Sequence, residues 1–174
     1  MLNSPNIYLV GPMGSGKTSI GRILARTLKL HFYDSDKEIE NRSGADIPWI
    51  FELEGEAGFR KREQQIIAEL TKLSNIVLAT GGGAILDVET RNLLKSNGIV
   101  VYLQTSVQQQ LLRTQKSNNR PLLDRQNRLQ KLSDLMAARK ALYEEISDWT
   151  FDTDKNSIHH IADEIVKQVL GRNN

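Results

Sequence analysis

The octet Gly11-Pro12-Met13-Gly14-Ser15-Gly16-Lys17-Thr18 follows directly on the apolar run Ile7-Tyr8-Leu9-Val10. It matches G-x-x-x-x-G-K-[ST], a pattern that functions as the turn between a buried strand and the first helix of an α/β unit. Glycine at three positions lets the backbone turn through φ > 0 and approach a ligand with no Cβ in the way. The turned chain points successive N–H groups inward as an anion-binding nest. The helix that opens near Lys17 aims the positive end of its dipole at the same place. The feature therefore constrains the chain twice. It demands strand–loop–helix at the N-terminal end, and it names a ligand class, a nucleoside triphosphate with Mg²⁺. Gly14, Ser15, Gly16, Lys17, Thr18 and Ser19 are the candidate phosphate-binding residues. Lys17 is placed to bridge the β- and γ-phosphates, and the Thr18 hydroxyl to sit on Mg²⁺. The plain alternative is a glycine-rich turn with no ligand.

The remaining sequence continues the alternation that this unit begins. Ile20, Ile23, Leu24, Thr27 and Leu28 follow helical spacing, and His31–Asp34 reads as a short second strand. A polar, helix-prone stretch runs from Ser35 to Glu54. Phe59, Ile66, Ile67, Leu70 and Leu73 mark an amphipathic helix. Ile76–Ala79 predicts strand three, Asp87–Asn97 a helix closing at Gly98, and Ile99–Leu103 strand four. Val107, Leu111 and Leu112 belong to a further helix, and Leu129–Tyr143 to a long one. Trp149–Phe151 reads as strand five, and a last helix starts near Ser157. Strands alternating with helices predict an α/β fold, a three-layer parallel sheet wound on both faces with right-handed crossovers. At 174 residues the expectation is one domain, 1–174. In such sheets ligands gather outside the carboxyl ends of the strands, so the residues just after each strand are the places to search.

Composition narrows the partners. A formal charge of +2 is too small to argue for nucleic acid or a membrane surface. Without cysteine the chain has no disulfide or thiolate chemistry, which fits a reducing compartment. No apolar stretch approaches the length of a membrane span. Met1–Pro5 shows no basic segment leading into a long apolar one. The expectation is a cytoplasmic protein acting as a monomer on small molecules.

Each strand end carries a candidate. After strand two come Asp34, Ser35 and Asp36. Either aspartate alone is as well read as a helix cap. As a pair opposite a phosphate loop, Asp34 suits Mg²⁺, directly or through water, and Asp36 suits a hydroxyl awaiting phosphorylation. After strand three come Gly81-Gly82-Gly83, either a flexible connector or bare backbone against which a ligand packs. Glu63 falls on the apolar stripe of Phe59, Ile66, Ile67 and Leu70, where a lone charge is costly. Arg60 lies three residues earlier, within pairing reach. Arg139 likewise occupies an inward position among Leu135, Met136, Leu142 and Tyr143. These arginines read either as boundary and snorkelling side chains or as a bidentate grip on a small carboxylate. Arg113, Lys116, Arg120 and Arg125 surround Ser117-Asn118-Asn119, either a solvated loop or an arginine-bearing lid over about 113–125.

Taken in order, these segments resemble the shikimate kinase family, small phosphate-loop kinases of the nucleoside monophosphate kinase fold. The resemblance rests on residues 11–18, Phe-Tyr-Asp-Ser-Asp at 32–36, Glu-Gly-Glu-Ala-Gly-Phe-Arg at 54–60, Ala-Thr-Gly-Gly-Gly at 79–83, Asn-Arg-Pro-Leu-Leu at 119–123 and Arg-Lys-Ala-Leu-Tyr at 139–143. It implies a five-stranded sheet in the order 2-3-1-4-5, with a substrate-binding segment at about 35–63 and a mobile lid. It implies that ATP phosphorylates the 3-hydroxyl of shikimate, a step towards chorismate and the aromatic amino acids. Thr18 would bind Mg²⁺, with Asp34 helping through water. Asp36, Arg60, Gly82 and Arg139 would bind shikimate, the two arginines at its carboxylate, and Asp36 would act as the base. Arg120 would reach the phosphates from the lid and join Lys17 and Asp36 as the catalytic set. Arg113 would stack on adenine, with the loop Thr153–Ser157, including Asn156, closing over the base. The chain departs from the family at Ala141, where proline is usual, and in the sequence of the loop 152–157.

Two rivals remain at this level. Another small-molecule kinase, for gluconate or a nucleotide, would keep the phosphate loop and change the acceptor residues. A degenerate kinase-like regulator would have lost Lys17, Asp34 or Asp36, all of which are present. A guanine-specific Asn-Lys-x-Asp motif does not occur in the chain.

Overall fold

A computed structural model describes residues 5–115 and 127–172. Five parallel strands, β1 Ile7–Val10, β2 His31–Asp34, β3 Ile76–Ala79, β4 Ile99–Gln104 and β5 Trp149–Asp152, form one sheet in the order β2-β3-β1-β4-β5. Seven helices accompany them among the described residues: α1 Lys17–Leu28, α2 Ser35–Ser43, α3 Ile47–Leu70, α4 Val88–Asn97, α5 Val107–Thr114, α6 Arg128–Ile146 and α7 Ile158–Gly171. A short 3₁₀ turn, Ala84–Leu86, follows β3.

The interior strands are continuous apolar runs because both of their faces are covered. Every residue of β1 and β3, and the first five of β4, is buried. Alternate residues part to opposite sides, as the two-residue strand period dictates. Tyr8, Val10, Leu78, Val100 and Tyr102 meet Ile39, Phe59, Ile67, Leu94 and Tyr143 from the helices of one face. Ile7, Leu9, Val77, Val101 and Leu103 meet Ile20, Leu24, Ile161, Ile165 and Val169 of α1 and α7 on the other. The edge strands β2 and β5 are shorter of apolar residues and only partly covered. In this strand order the connections after β1 and β4 leave towards opposite edges, which opens a crevice above the centre of the sheet.

The elements follow the expected boundaries closely, with two differences. Leu73 lies beyond the end of α3 at Leu70, and the helix-prone stretch 35–54 is divided. Gly44, at φ 70°, ends α2, and Asp46 caps a new helix by accepting from Trp49 N. That helix, α3, breaks again at Gly55, whose φ of 69° and ψ of −178° no helical residue has. Glu54 and Arg62 pair across the break at 2.6 and 2.8 Å. The kink turns the second half of α3, carrying Arg60 and Glu63, towards the carboxyl end of β3. Among the described residues no helix is long and apolar enough to cross a membrane.

Candidate active site

The turn after β1 has the shape that the octet demands. Gly11, Gly14 and Gly16 have φ of 149°, 77° and 90°. A Cβ on Gly11 would stand 2.6 Å from the Leu103 carbonyl oxygen, so only glycine lets the loop lie this close to β4. Gly16 is the N-cap of α1 and supplies no side-chain acceptor. By contrast α2, α3, α4, α5 and α7 are capped by Asp34, Asp46, Asp87, Ser106 and Ser157. The first turn of α1 thus keeps its N–H groups for whatever enters the loop. Lys17 Nζ donates to the carbonyl oxygens of Gly11 and Pro12, both at 2.8 Å, which curls the ammonium over the nest.

Asp34, at the end of β2, does two things at once. Its Oδ1 accepts from the main-chain N–H of Asp36 and Lys37, at 3.0 and 3.3 Å, and so caps α2. Its Oδ2 accepts from the Thr18 hydroxyl at 2.9 Å, across the mouth of the loop. The capping and metal readings of this residue are therefore compatible. Two hard oxygen donors side by side fit a divalent ion that keeps most of its waters. No group of three or more His, Cys, Asp or Glu side chains able to cage a metal occurs among the described residues. A donor set this sparse fits an ion shared with phosphate oxygens.

A cavity of about 280 Å³ lies over the loop, with Gly14, Gly16, Lys17, Thr18 and Ser19 on one side. Asp34, Asp36, Thr80, Gly81 and Gly82 wall the other. Gly81 and Gly83 are needed because side chains of the protein itself occupy the space that a Cβ would take. At Gly81 a Cβ would meet Glu63 Oε2 at 2.5 Å and Asp36 Oδ1 at 2.9 Å. At Gly83 it would collide with the Arg60 guanidinium, and Arg139 Nη1 stands 3.6 Å from the corresponding point of Gly82. Both arginines and Asp36 therefore converge on one bare stretch of backbone.

Arg60 is held, not loose. Its Nη1 donates to Glu63 Oε1 at 2.8 Å and its Nη2 to Glu56 Oε1 at 3.3 Å. Glu63 is only 2 % exposed. Burial pushes its carboxyl up to about 7; Arg60 beside it works the other way, and the Asp36 charge adds to the rise. Arg139 is 4 % exposed, so it is a core arginine and not a snorkelling one.

At the far end of the loop Arg113 ties two elements together. Its Nη1 donates to Gly14 O at 3.0 Å and Thr153 Oγ1 at 3.1 Å, and its Nη2 to Thr153 O at 3.0 Å. Asn156 Nδ2 turns back to Asp152 O at 3.0 Å. Arg120 and the segment 116–126, hence most of the expected lid, lie outside the described residues. One cavity thus gathers Gly14, Gly16, Lys17, Thr18, Ser19, Asp34, Asp36 and Gly82. Arg60 and Arg139 approach the glycine triplet beside it, at Gly83 and Gly82, and line neighbouring cavities. Arg113 joins the phosphate loop at Gly14 to the loop after β5, where Asn156 also lies. Sequence reasoning missed Ser35, whose buried Oγ accepts from Gly81 N at 3.0 Å. It also took Tyr143 as core alone, although its hydroxyl donates to Gly82 O. A hydroxyl between two candidate aspartates was the one available signal for Ser35.

Comparison with known proteins leads the same way. The family model described as shikimate kinase matches residues 13–170. A shikimate kinase of Haemophilus influenzae (strain PittEE) is 53 % identical over 174 residues, covering 99 % of this chain and 97 % of its own. One of Legionella pneumophila (strain Corby) is 52 % identical over 166 residues, 95 % of either chain. The solved structure of shikimate kinase from Acinetobacter baumannii in complex with shikimate superposes with a TM-score of 0.93 at 52 % identity, covering 97 % of this chain and 94 % of that one. With the strand order, the phosphate loop and the convergent arginines already in place, a match of this length leaves one assignment: the chain belongs to the shikimate kinase family.

Proposed function

We infer that this protein transfers the γ-phosphoryl group of ATP to the 3-hydroxyl of shikimate, giving shikimate 3-phosphate on the route to chorismate and the aromatic amino acids. The observation that carries the reading is the shared cavity: phosphate-loop residues Lys17 and Thr18 face Asp36 and Gly82 across one space of about 280 Å³. A donor phosphate and an acceptor alcohol held there are near enough to react in line, and positioning supplies much of the rate in phosphoryl transfer.

The roles follow from chemistry and placement. Gly14–Ser19 receive the phosphates on main-chain N–H groups, and Lys17 exchanges its loop carbonyls for β- and γ-oxygens. Thr18 and Asp34 would hold Mg²⁺, Asp34 through water, and the ion would supply positive charge to offset that of the phosphates. Asp36 accepts a hydrogen bond from the attacking hydroxyl. As the new O–P bond forms and the bond to the ADP oxygen breaks, the hydroxyl proton passes to the Asp36 carboxylate. Arg60 and Arg139 grip the shikimate carboxylate, and Gly82 offers its N–H. Arg113 packs on adenine with Asn156 nearby in the loop after β5, and Arg120 completes the positive field around the transferring group. Every group in this scheme comes from one chain, so a monomer suffices.

The test is ADP release with ATP and Mg²⁺ against a panel of acceptors. Shikimate is expected to turn over, with gluconate and nucleoside monophosphates near background. Faster turnover of gluconate or of a nucleotide than of shikimate would refute the assignment.

A further inference from the structure

The main-chain polar groups of Gly81 and Gly82 are satisfied one by one by the protein, with a single exception. Gly81 N–H donates to Ser35 Oγ at 3.0 Å, and Gly81 O accepts from Ala84 N at 3.1 Å. Gly82 O accepts from the Tyr143 hydroxyl. Among the described residues the Gly82 N–H has no hydrogen-bond acceptor. The peptide that carries it is pinned on both flanks, since Ser35 holds the group before it and Tyr143 the group after it. A glycine pair without such pins would sample many orientations; a pinned one holds its free donor in one direction, and Gly82 lines the cavity.

Both pins are built into the core. Ser35 and Tyr143 are fully buried. The Tyr143 ring stacks on Tyr102, with centroids 5.1 Å apart and planes 21° from parallel. Burial raises the Tyr143 phenol well above its ordinary range, so the proton that reaches Gly82 O stays in place at any working pH. The neighbouring Arg139 guanidinium stands beside the same hydroxyl, one helical turn earlier on α6.

We propose that Tyr143 and Ser35 are positioning residues that clamp the Gly81–Gly82 peptide and aim the Gly82 N–H at the acceptor substrate. The clamp rests on the proposed function, because it needs an acceptor bound at Gly82. It predicts an effect on acceptor binding that a merely structural pair of hydroxyls would not have.

Tyr143→Phe removes one oxygen and leaves the ring, the stack and the packing volume. The KM for shikimate is expected to rise about tenfold, the scale of one hydrogen bond, while the KM for ATP and kcat stay within about twofold. Ser35→Ala should move the same constant in the same direction. The double variant should cost less than the product of the two, because both act on one donor. In wild-type protein without nucleotide, the Gly82 amide proton resonance should move downfield when shikimate binds, and move less in Tyr143→Phe. An unchanged shikimate KM, or equal rises in both KM values, overturns the clamp alone. A wild-type protein that does not turn over shikimate overturns the proposed function and the clamp together. If Tyr143→Phe fails to fold, the kinetics of Ser35→Ala decide by the same criteria.

Discussion

Asp36 meets two demands that pull against each other. In its proposed role as acceptor for a reacting hydroxyl it must remain charged, yet it faces Glu63 at the point where the Gly81 side chain is missing. The conflict is relieved at Glu63, where burial pushes the carboxyl up to about 7 and the Asp36 charge adds to the rise. Arg60, bonded to Glu63 at 2.8 Å, limits it. The account predicts that Asp36→Asn lowers kcat by about 10²–10⁴-fold, the range for losing a positioned base, with the Kd for ATP unchanged in a nucleotide-binding titration. Retained turnover would remove the base from the scheme. Glu63 makes a separate prediction about stability. Its carboxyl lies above the ordinary 4.5, so the folded chain holds a proton there that the unfolded chain has released. The stabilisation from that proton is complete below about pH 4.5 and is lost as pH rises through about 7. Urea midpoints for Glu63→Gln should therefore fall less across that window than those of the parent, and parallel curves would contradict the shift.

At the scale of elements, β4 and α6 meet through Tyr102 and Tyr143, and only one of the two hydroxyls is used. Tyr143 donates to Gly82, whereas the Tyr102 hydroxyl is buried with no partner among the described residues. Desolvation pushes its phenol up to about 12. Leaving such a group unpaired costs about 1–3 kcal/mol. Tyr102→Phe keeps the ring stack and is expected to stabilise the fold by about 1 kcal/mol, read as a higher urea midpoint at unchanged slope; a loss of stability would show that the hydroxyl has a partner. The strands were legible in the chain because apolar runs such as Ile76–Ala79 carry their own signal. The α2–α3 break was not, because the φ values of Gly44 and Gly55 are chosen by where the chain must go next. In α5 the apolar residues Val107, Leu111 and Leu112 marked a helix correctly. Yet the residues it buries are Gln110 and Thr114: the Thr114 methyl faces the phosphate loop at Gly14, and the Gln110 amide donates to Thr105 O at 3.0 Å.

For the whole molecule, the site was legible where function acts through backbone spacing. The phosphate loop, the paired aspartates and the glycine triplet lie at strand ends and announce themselves. Arg139 was visible as a charge on an apolar stripe, Arg60 as the partner of one at Glu63, and both through the family resemblance; tertiary packing shows that they approach neighbouring glycines of one triplet, Gly82 and Gly83. The Arg113 bridge to Thr153 and the Ser35 and Tyr143 bonds join residues 40, 46 and 61 positions apart, a separation no local pattern encodes. What the fold contributes is convergence: β1, β2 and β3 deliver an anion-binding nest, two carboxylates and a bare peptide to one opening, with Arg60 of α3 and Arg139 of α6 against the glycine triplet beside it. The most direct measurement is a crystal structure of the ternary complex with Mg²⁺, shikimate and a non-hydrolysable ATP analogue. The account predicts the 3-hydroxyl hydrogen-bonded to Asp36 and in line with the terminal phosphorus above Lys17. Shikimate bound away from Asp36, or with another hydroxyl facing that phosphorus, would contradict it.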